Sequence, residues 1–352
     1  MAILPDAAQN VVDLLRRREN RIRGRINGHN PYNPVLSHTL LHTLAGVYSP
    51  VSFLPDSQHF VGGCSDGTVR TWRVTDGREV GVVMKHGSPV RAVAVSGDGK
   101  TIASGGGDGK VVFWNTDTCK KLVRSQGKHS NWVVSLSFAP DSQRVASGSY
   151  DGWIIIWSTL TGERVTGPLR GHKGWVPSLA FSPAGDKIAS CDSWGKVRIW
   201  DSSSGERVPL LIPARALSVR WSPGGSQLIC ATFDGTVAFV DFSNGALLAT
   251  CRGHEDAIYS IVVSRCGTWL ASASSDRTVR LWDTSTHQQL ASLDHPDQVE
   301  SVSISPNGRH IASVGHGSKA YIWRRLNVDP TFQEDEDPAV SHRLSVCTCE
   351  RG

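Results

Sequence analysis

Serine, histidine and aspartate, three residue types that can do chemistry together, recur along this chain at fixed distances. His86, His129, His172, His254 and His295 each stand 28 residues before a tryptophan, at 114, 157, 200, 282 and 323. A serine activated by a histidine that an aspartate orients is the constellation of hydrolytic catalysis. A hydrolase needs one such set, carried on a strand–turn–helix elbow. Here the set returns with each repeat, always with a tryptophan, and no helical pattern follows it. The sets therefore read as structural, and the chain reads as a non-enzyme. Gly105-Gly-Gly107 enters a turn rather than opening a helix, so it is not a phosphate cradle. His42 and His316 lack thiol or carboxylate partners at ligand spacing, and the eight cysteines form no Cys-x-x-Cys pair. Cys347-x-Cys349 reads as two chance cysteines in a tail. No metal and no cofactor are expected.

The elements that would position these residues come from a repeat. Ser52-Phe-Leu-Pro-Asp-Ser-Gln58 recurs almost letter for letter as Ser137-Phe-Ala-Pro-Asp-Ser-Gln143. The same frame gives seven segments ending at Trp72, Trp114, Trp157, Trp200, Val240, Trp282 and Trp323, at intervals of 42, 43, 43, 40, 42 and 41 residues. Each segment reads as four short strands. In the third, Val133–Phe138 alternates with period two and Ala139-Pro-Asp-Ser142 is turn chemistry. Arg144–Ser147 is a second strand, and Tyr150-Asp-Gly152 a tight turn. Trp153–Trp157 is apolar enough to be covered on both faces, and an outer strand lies around Arg164–Thr166. One such sheet cannot bury both faces, whereas sheets packed around an axis can.

Composition agrees with an all-β chain of this length in one domain. No apolar run approaches the length of a membrane span, and the start, with Asp6 and Asp13, lacks a signal-peptide core. The net charge of +5 does not by itself demand a nucleic acid. Residues 1–33 carry six arginines against three acids, whereas residues 328–352 carry two against six.

Gly171-His172, Trp200-Asp201, Gly253-His254 and Trp282-Asp283 resemble the Gly-His and Trp-Asp signatures of the WD-repeat family. The resemblance covers about residues 35–326. It implies an all-β, seven-bladed β-propeller of four-stranded antiparallel blades, closed by an N-terminal strand in the last blade. It also implies buried tetrads in which serine accepts the indole N–H, histidine links onward and aspartate holds the histidine tautomer. The complete sets would be His86/Ser104/Asp108/Trp114, His129/Ser147/Asp151/Trp157 and His254/Ser272/Asp276/Trp282. Four units depart. Unit four has Trp194 at the aspartate position, and unit seven has Gly317. Unit one has Leu44 and Gly62 but keeps Asp66, while unit five has Ile212, Cys230 and Val240 and keeps Asp234. No outer strand follows Trp323, so residues 36–44 are expected to complete the seventh blade.

The expected organisation is a basic arm over 1–33, partly helical or disordered, a propeller over 34–327 and an acidic disordered tail over 328–352. In the family, the aspartate turns and histidine loops share one face. That would gather Trp132, Tyr150, Trp175, Trp194, Arg215 and Phe233 on blades three to five, with Arg91 and Tyr259 at the margins. An exposed aromatic–arginine cluster suits a partner site. The expected function is a non-catalytic scaffold for protein or peptide partners, as a monomer or a subunit of a hetero-complex, in the cytoplasm or nucleus. The alternative is a propeller that meets nucleic acid or chromatin through its arginine-rich arm.

Overall fold

The structure is a computed structural model that describes residues 38–47 and 50–325. The arm over 1–33 and the tail over 328–352 lie outside the described residues. Blade three shows how alternation becomes a sheet. Its strands are Val133–Phe138, Arg144–Ser149, Ile154–Ser158 and Arg164–Leu169, paired in that order and antiparallel throughout. Gly152 takes φ +77° in the turn between the second and third strands, a conformation that costs glycine little. Ile154, Ile156 and Trp157 are all fully buried, as expected of a strand flanked by other blades.

Seven such four-stranded sheets form the propeller. The first strand of each meets the first strand of the next, including Val51–Phe53 of blade one against Val299–Ile304 of blade seven, so the ring closes. Among the described residues seven apolar clusters lie one between each adjacent pair of blades. Blades two and three, for example, share Ala92, Val111, Phe113, Val133, Ile155 and Trp157. Blades seven and one share Ile322, Val314, Phe53 and Trp72. Burial is thus divided into seven wedges rather than gathered in one centre.

The seventh blade is assembled from both ends of the ring. Val299–Ile304, His310–Gly315 and Lys319–Arg325 are its inner three strands, and His38–Ala45 is the outermost. His38 pairs with Arg325 and Ala45 with Lys319. Serine hydroxyls also tie neighbouring first strands together: Ser178 Oγ accepts the Val219 N–H at 3.2 Å, and Ser260 Oγ accepts that of Val302 at 3.3 Å.

Candidate functional site

The polar sets lie within the wedges. In blade three the Trp157 indole donates to Ser147 Oγ at 2.8 Å. Ser147 donates to His129 Nε2 at 2.8 Å, and His129 Nδ1 donates to Asp151 Oδ2 at 2.9 Å. Blade six repeats the relay through Trp282, Ser272, His254 and Asp276 at 2.7, 2.7 and 2.8 Å. In blade two the His86 ring is turned, with Nδ1 on Ser104 at 2.8 Å and Nε2 on Asp108 at 3.2 Å, while Trp114 donates to Ser104 at 2.8 Å.

Blade four corrects the sequence reading. Trp194 does occupy the usual aspartate position, but the set is complete without it. Trp200 donates to Ser190 at 2.8 Å, Ser190 to His172 Nε2 at 2.7 Å, and His172 Nδ1 to Asp192 Oδ2 at 3.0 Å. Asp192 stands where blades three and six have Ser149 and Ser274, which bond the turn amides of Asp151 and Asp276. Its longer side chain does both jobs, accepting from the Trp194 and Lys196 amides through Oδ1 and from His172 through Oδ2. Blade seven keeps histidine, serine and tryptophan, and His295 Nδ1 donates instead to the Leu293 carbonyl at 3.1 Å. Blade five replaces the set with an apolar one: Ile212, Cys230 and Val240 are buried together in one wedge. In blade one Trp72 lies over Gly62 and stacks on Phe60, and Cys64, Asp66, Arg70 and Trp72 help line a crevice of about 170 Å³.

Ser147, His129 and Asp151 match the order of a hydrolytic triad, yet Ser147 is 0% and His129 1% exposed. The serine oxygen is occupied by the indole, so no substrate atom can reach it. The repeat frame left no place for a nucleophile elbow, although Gly63-Cys64-Ser65-Asp66-Gly67 spells Gly-x-Ser-x-Gly. That run joins strand His59–Gly63 to strand Thr68–Arg73, not a strand to a helix, so the sharp elbow geometry is missing.

Burial, the largest influence, holds the His86, His172 and His254 imidazoles below the ordinary histidine value, and their aspartates only partly offset it. For Asp276 burial acts upward, but the hydrogen bonds and charge of its donors outweigh it and bring the carboxyl to about 2. Neutral histidine between serine and carboxylate is the form the relay needs. Unfolded histidines titrate near about 6.5, so these three bind protons more readily in the unfolded chain. Their contribution is fully present above that value and is lost as pH falls below it, toward the depressed folded values. Asp276 adds a further loss as pH falls from about 3.9 through its folded value. The thermal midpoint is therefore expected to drop between about pH 7.5 and about pH 5. A midpoint that stays level across that interval in scanning calorimetry contradicts neutral buried histidines.

The residues expected at a partner site come from loops tied blade by blade. The Tyr150, Ser193 and Phe233 amides donate to the carbonyls of Trp132, Trp175 and Arg215 at 3.0, 2.9 and 3.4 Å. Side chains then join one blade to the next. Trp132 of blade three stands over Gly107 of blade two, with the Arg91 guanidinium 5.7 Å from its ring. Tyr150 of blade three meets Trp175 of blade four edge to face at 5.0 Å. Gly195 of blade four abuts Arg215 and Phe233 of blade five, and the Arg215 guanidinium lies 5.9 Å from the Phe233 ring. Arg215 also donates to the Trp194 carbonyl at 3.5 Å. Trp194 packs one edge on Gly174, where any Cβ would fall 2.5 Å from its Cδ1, yet it remains 65% exposed. Arg215 is exposed, and Trp132, Tyr150, Trp175 and Phe233 are partly buried. Trp175 Nε1 is buried with no hydrogen-bond acceptor among the described residues. Tyr259 is partly buried on the first strand of blade six.

Comparison with known proteins adds a family match. The family model described as WD domain, G-beta repeat matches residues 35–73, 77–115, 120–158, 163–201, 245–283 and 287–324. The interval it passes over contains the first three strands of blade five, where the tetrad is apolar. Over 145 residues the chain is 34% identical to eukaryotic translation initiation factor 3 subunit I of Neurospora crassa, covering 40% of this chain and 42% of that protein. Over 129 residues it is 32% identical to the intraflagellar transport protein 122 homolog of Danio rerio, covering 37% of this chain and 10% of that protein. The matched stretch is thus less than half the length of either relative. Among the described residues no helix is long and apolar enough to cross a membrane.

Proposed function

We propose, for a chain that belongs to the WD-repeat family of β-propellers, a non-catalytic scaffold role in which one face of the ring binds a protein or peptide. The observation that carries this reading is Trp194, an indole 65% exposed at a turn tip and flanked by Arg215. Exposed tryptophan beside arginine is the composition of interface hot spots, and a rigid ring holds such a cluster at little entropic cost. The Trp175 indole N–H supplies an unsatisfied donor beneath the same surface. One relative's name, a subunit of an initiation factor, agrees with work inside an assembly.

The test starts from a partner captured by the intact chain. Trp194→Ala, Trp175→Ala and Tyr150→Ala are each expected to weaken its binding by about 1–3 kcal/mol, with little change in the melting temperature. Normal binding by all three variants, or their unfolding, removes the face from consideration. Binding that falls steeply with salt and vanishes on deletion of residues 1–33 indicates nucleic acid held by the arm instead.

A further inference from the structure

The innermost strands offer a second candidate site, on the axis of the ring and away from the aromatic face. Ser52, Ala94, Ser137, Ala180, Val262 and Ser303 occupy equivalent positions, each opposite an apolar residue of its second strand. Blade five has Arg220 there, opposite Ile229. Its chain neighbours Val219 and Trp221 turn into the wedge between blades four and five, at 0% and 7% exposure. Arg220 lies between them on the first strand of the blade, remains partly exposed, and its guanidinium reaches blade four.

The guanidinium is held but not neutralised. Nη1 donates to Ser178 Oγ at 3.1 Å and to the Val219 carbonyl at 2.8 Å. Ser178 Oγ lies 3.3 Å from Ser218 Oγ, so two buried hydroxyls stand beside the cation. Among the described residues no carboxylate comes within salt-bridge distance of Arg220, and Nε and Nη2 have no protein acceptor. The low-polarity surroundings hold its pKa below the ordinary guanidinium value. An arginine nevertheless stays charged at neutral pH. A partly buried charge without a counter-charge is costly, and a guanidinium fork with spare donors matches the oxygens of an anion.

We propose that the axial channel at blade five is an oxyanion site, in which Arg220 and the neighbouring serine hydroxyls bind a small phosphate- or carboxylate-type anion. Arg220 presents the N–H groups of Nε and Nη2, and Ser52 and Ser303 stand at the same level of the ring, as does Ser137, whose Oγ accepts the Phe181 N–H at 3.2 Å. The anion neutralises the one charge at a level otherwise made of serine, alanine and valine.

The experiment titrates the full chain with inorganic phosphate and separately with acetate, at ionic strength held constant with chloride, by calorimetry and thermal unfolding. Saturable binding that raises the unfolding midpoint is expected from at least one anion. Tighter phosphate binding assigns a phosphate-type ligand, and tighter acetate binding a carboxylate. Arg220→Gln is expected to weaken the affinity by about tenfold or more, and its midpoint in chloride alone should equal or exceed that of the parent. Arg220→Lys keeps the charge without the fork and should weaken binding by about threefold or more, which covers the case in which the glutamine variant fails to fold. Arg215→Gln and Trp175→Ala, on the aromatic face, should titrate as the parent does, so this result is independent of partner binding there. Absence of saturable binding by both anions overturns the site. Parent-like affinity in a folded Arg220 variant, or equal loss in Arg215→Gln, also overturns it.

Discussion

Removal of residues 1–45 is expected to abolish cooperative folding of the propeller, whereas removal of 1–33 or of 331–352 should leave the melt nearly unchanged. His38–Ala45 is the fourth strand of blade seven and covers the outer edge of Lys319–Arg325. Leu41 and Leu44 pack on the wedge shared with blade one, and His42 Nε2 donates to the Thr75 carbonyl of that blade at 2.9 Å. Without this strand the blade presents unpaired backbone groups and an uncovered apolar wedge, the conditions for edge-to-edge association. Circular dichroism melts and size-exclusion chromatography decide the matter. A monomeric 46–352 chain that melts cooperatively at the parent temperature contradicts the requirement.

Trp157→Ala is expected to cost about 3–5 kcal/mol in urea unfolding, the range for emptying a large aromatic from a packed interior. Trp157 is 1% exposed, fills the wedge between blades two and three, and satisfies Ser147 through its indole N–H. Trp157→Phe refills most of the volume but leaves Ser147 without its donor, so about 1–2 kcal/mol is expected. The difference between the variants measures packing, and the residue left in Trp157→Phe measures the relay. A cost below about 1 kcal/mol for Trp157→Ala would mean that neighbouring blades close the gap.

The blades were legible because the period-two alternation is a local pattern that recurs along the chain and the histidine–tryptophan offset survives in five of the seven units. The closing strand was legible too, since Ser37–Leu44 resembles Ala246–Cys251, an outer strand of unit five, and His38–Ala45 is the outer strand of blade seven. The fourth tetrad was not legible. Counting from the other blades places Trp194 at the aspartate position, and only side-chain reach shows that Asp192, two residues earlier, can serve both its turn and His172. Exposure within the aromatic set was equally hidden. Trp175 and Trp194 both sit in loops of blade four, but one is tucked against Tyr150 and the other stands largely exposed over Gly174. Arg220 escaped notice because an arginine in an alternating strand reads as a solvated residue, and nothing local says that the strand lines an axis.

The closing strand also separates the unit of inheritance from the unit of packing. The matched stretch 77–115 contains the outer strand Glu79–Lys85 of blade one followed by the three inner strands of blade two, and 120–158 repeats this offset with Lys121–Arg124. A duplication or loss of one such segment therefore changes the number of blades by one without leaving any sheet short of a strand. It exchanges one edge for another of the same kind, and each flanking blade regains a complete set of strands from its new neighbour. Blade number can change by genetic recombination at these offset boundaries while the joint at His38–Ala45 stays as it is.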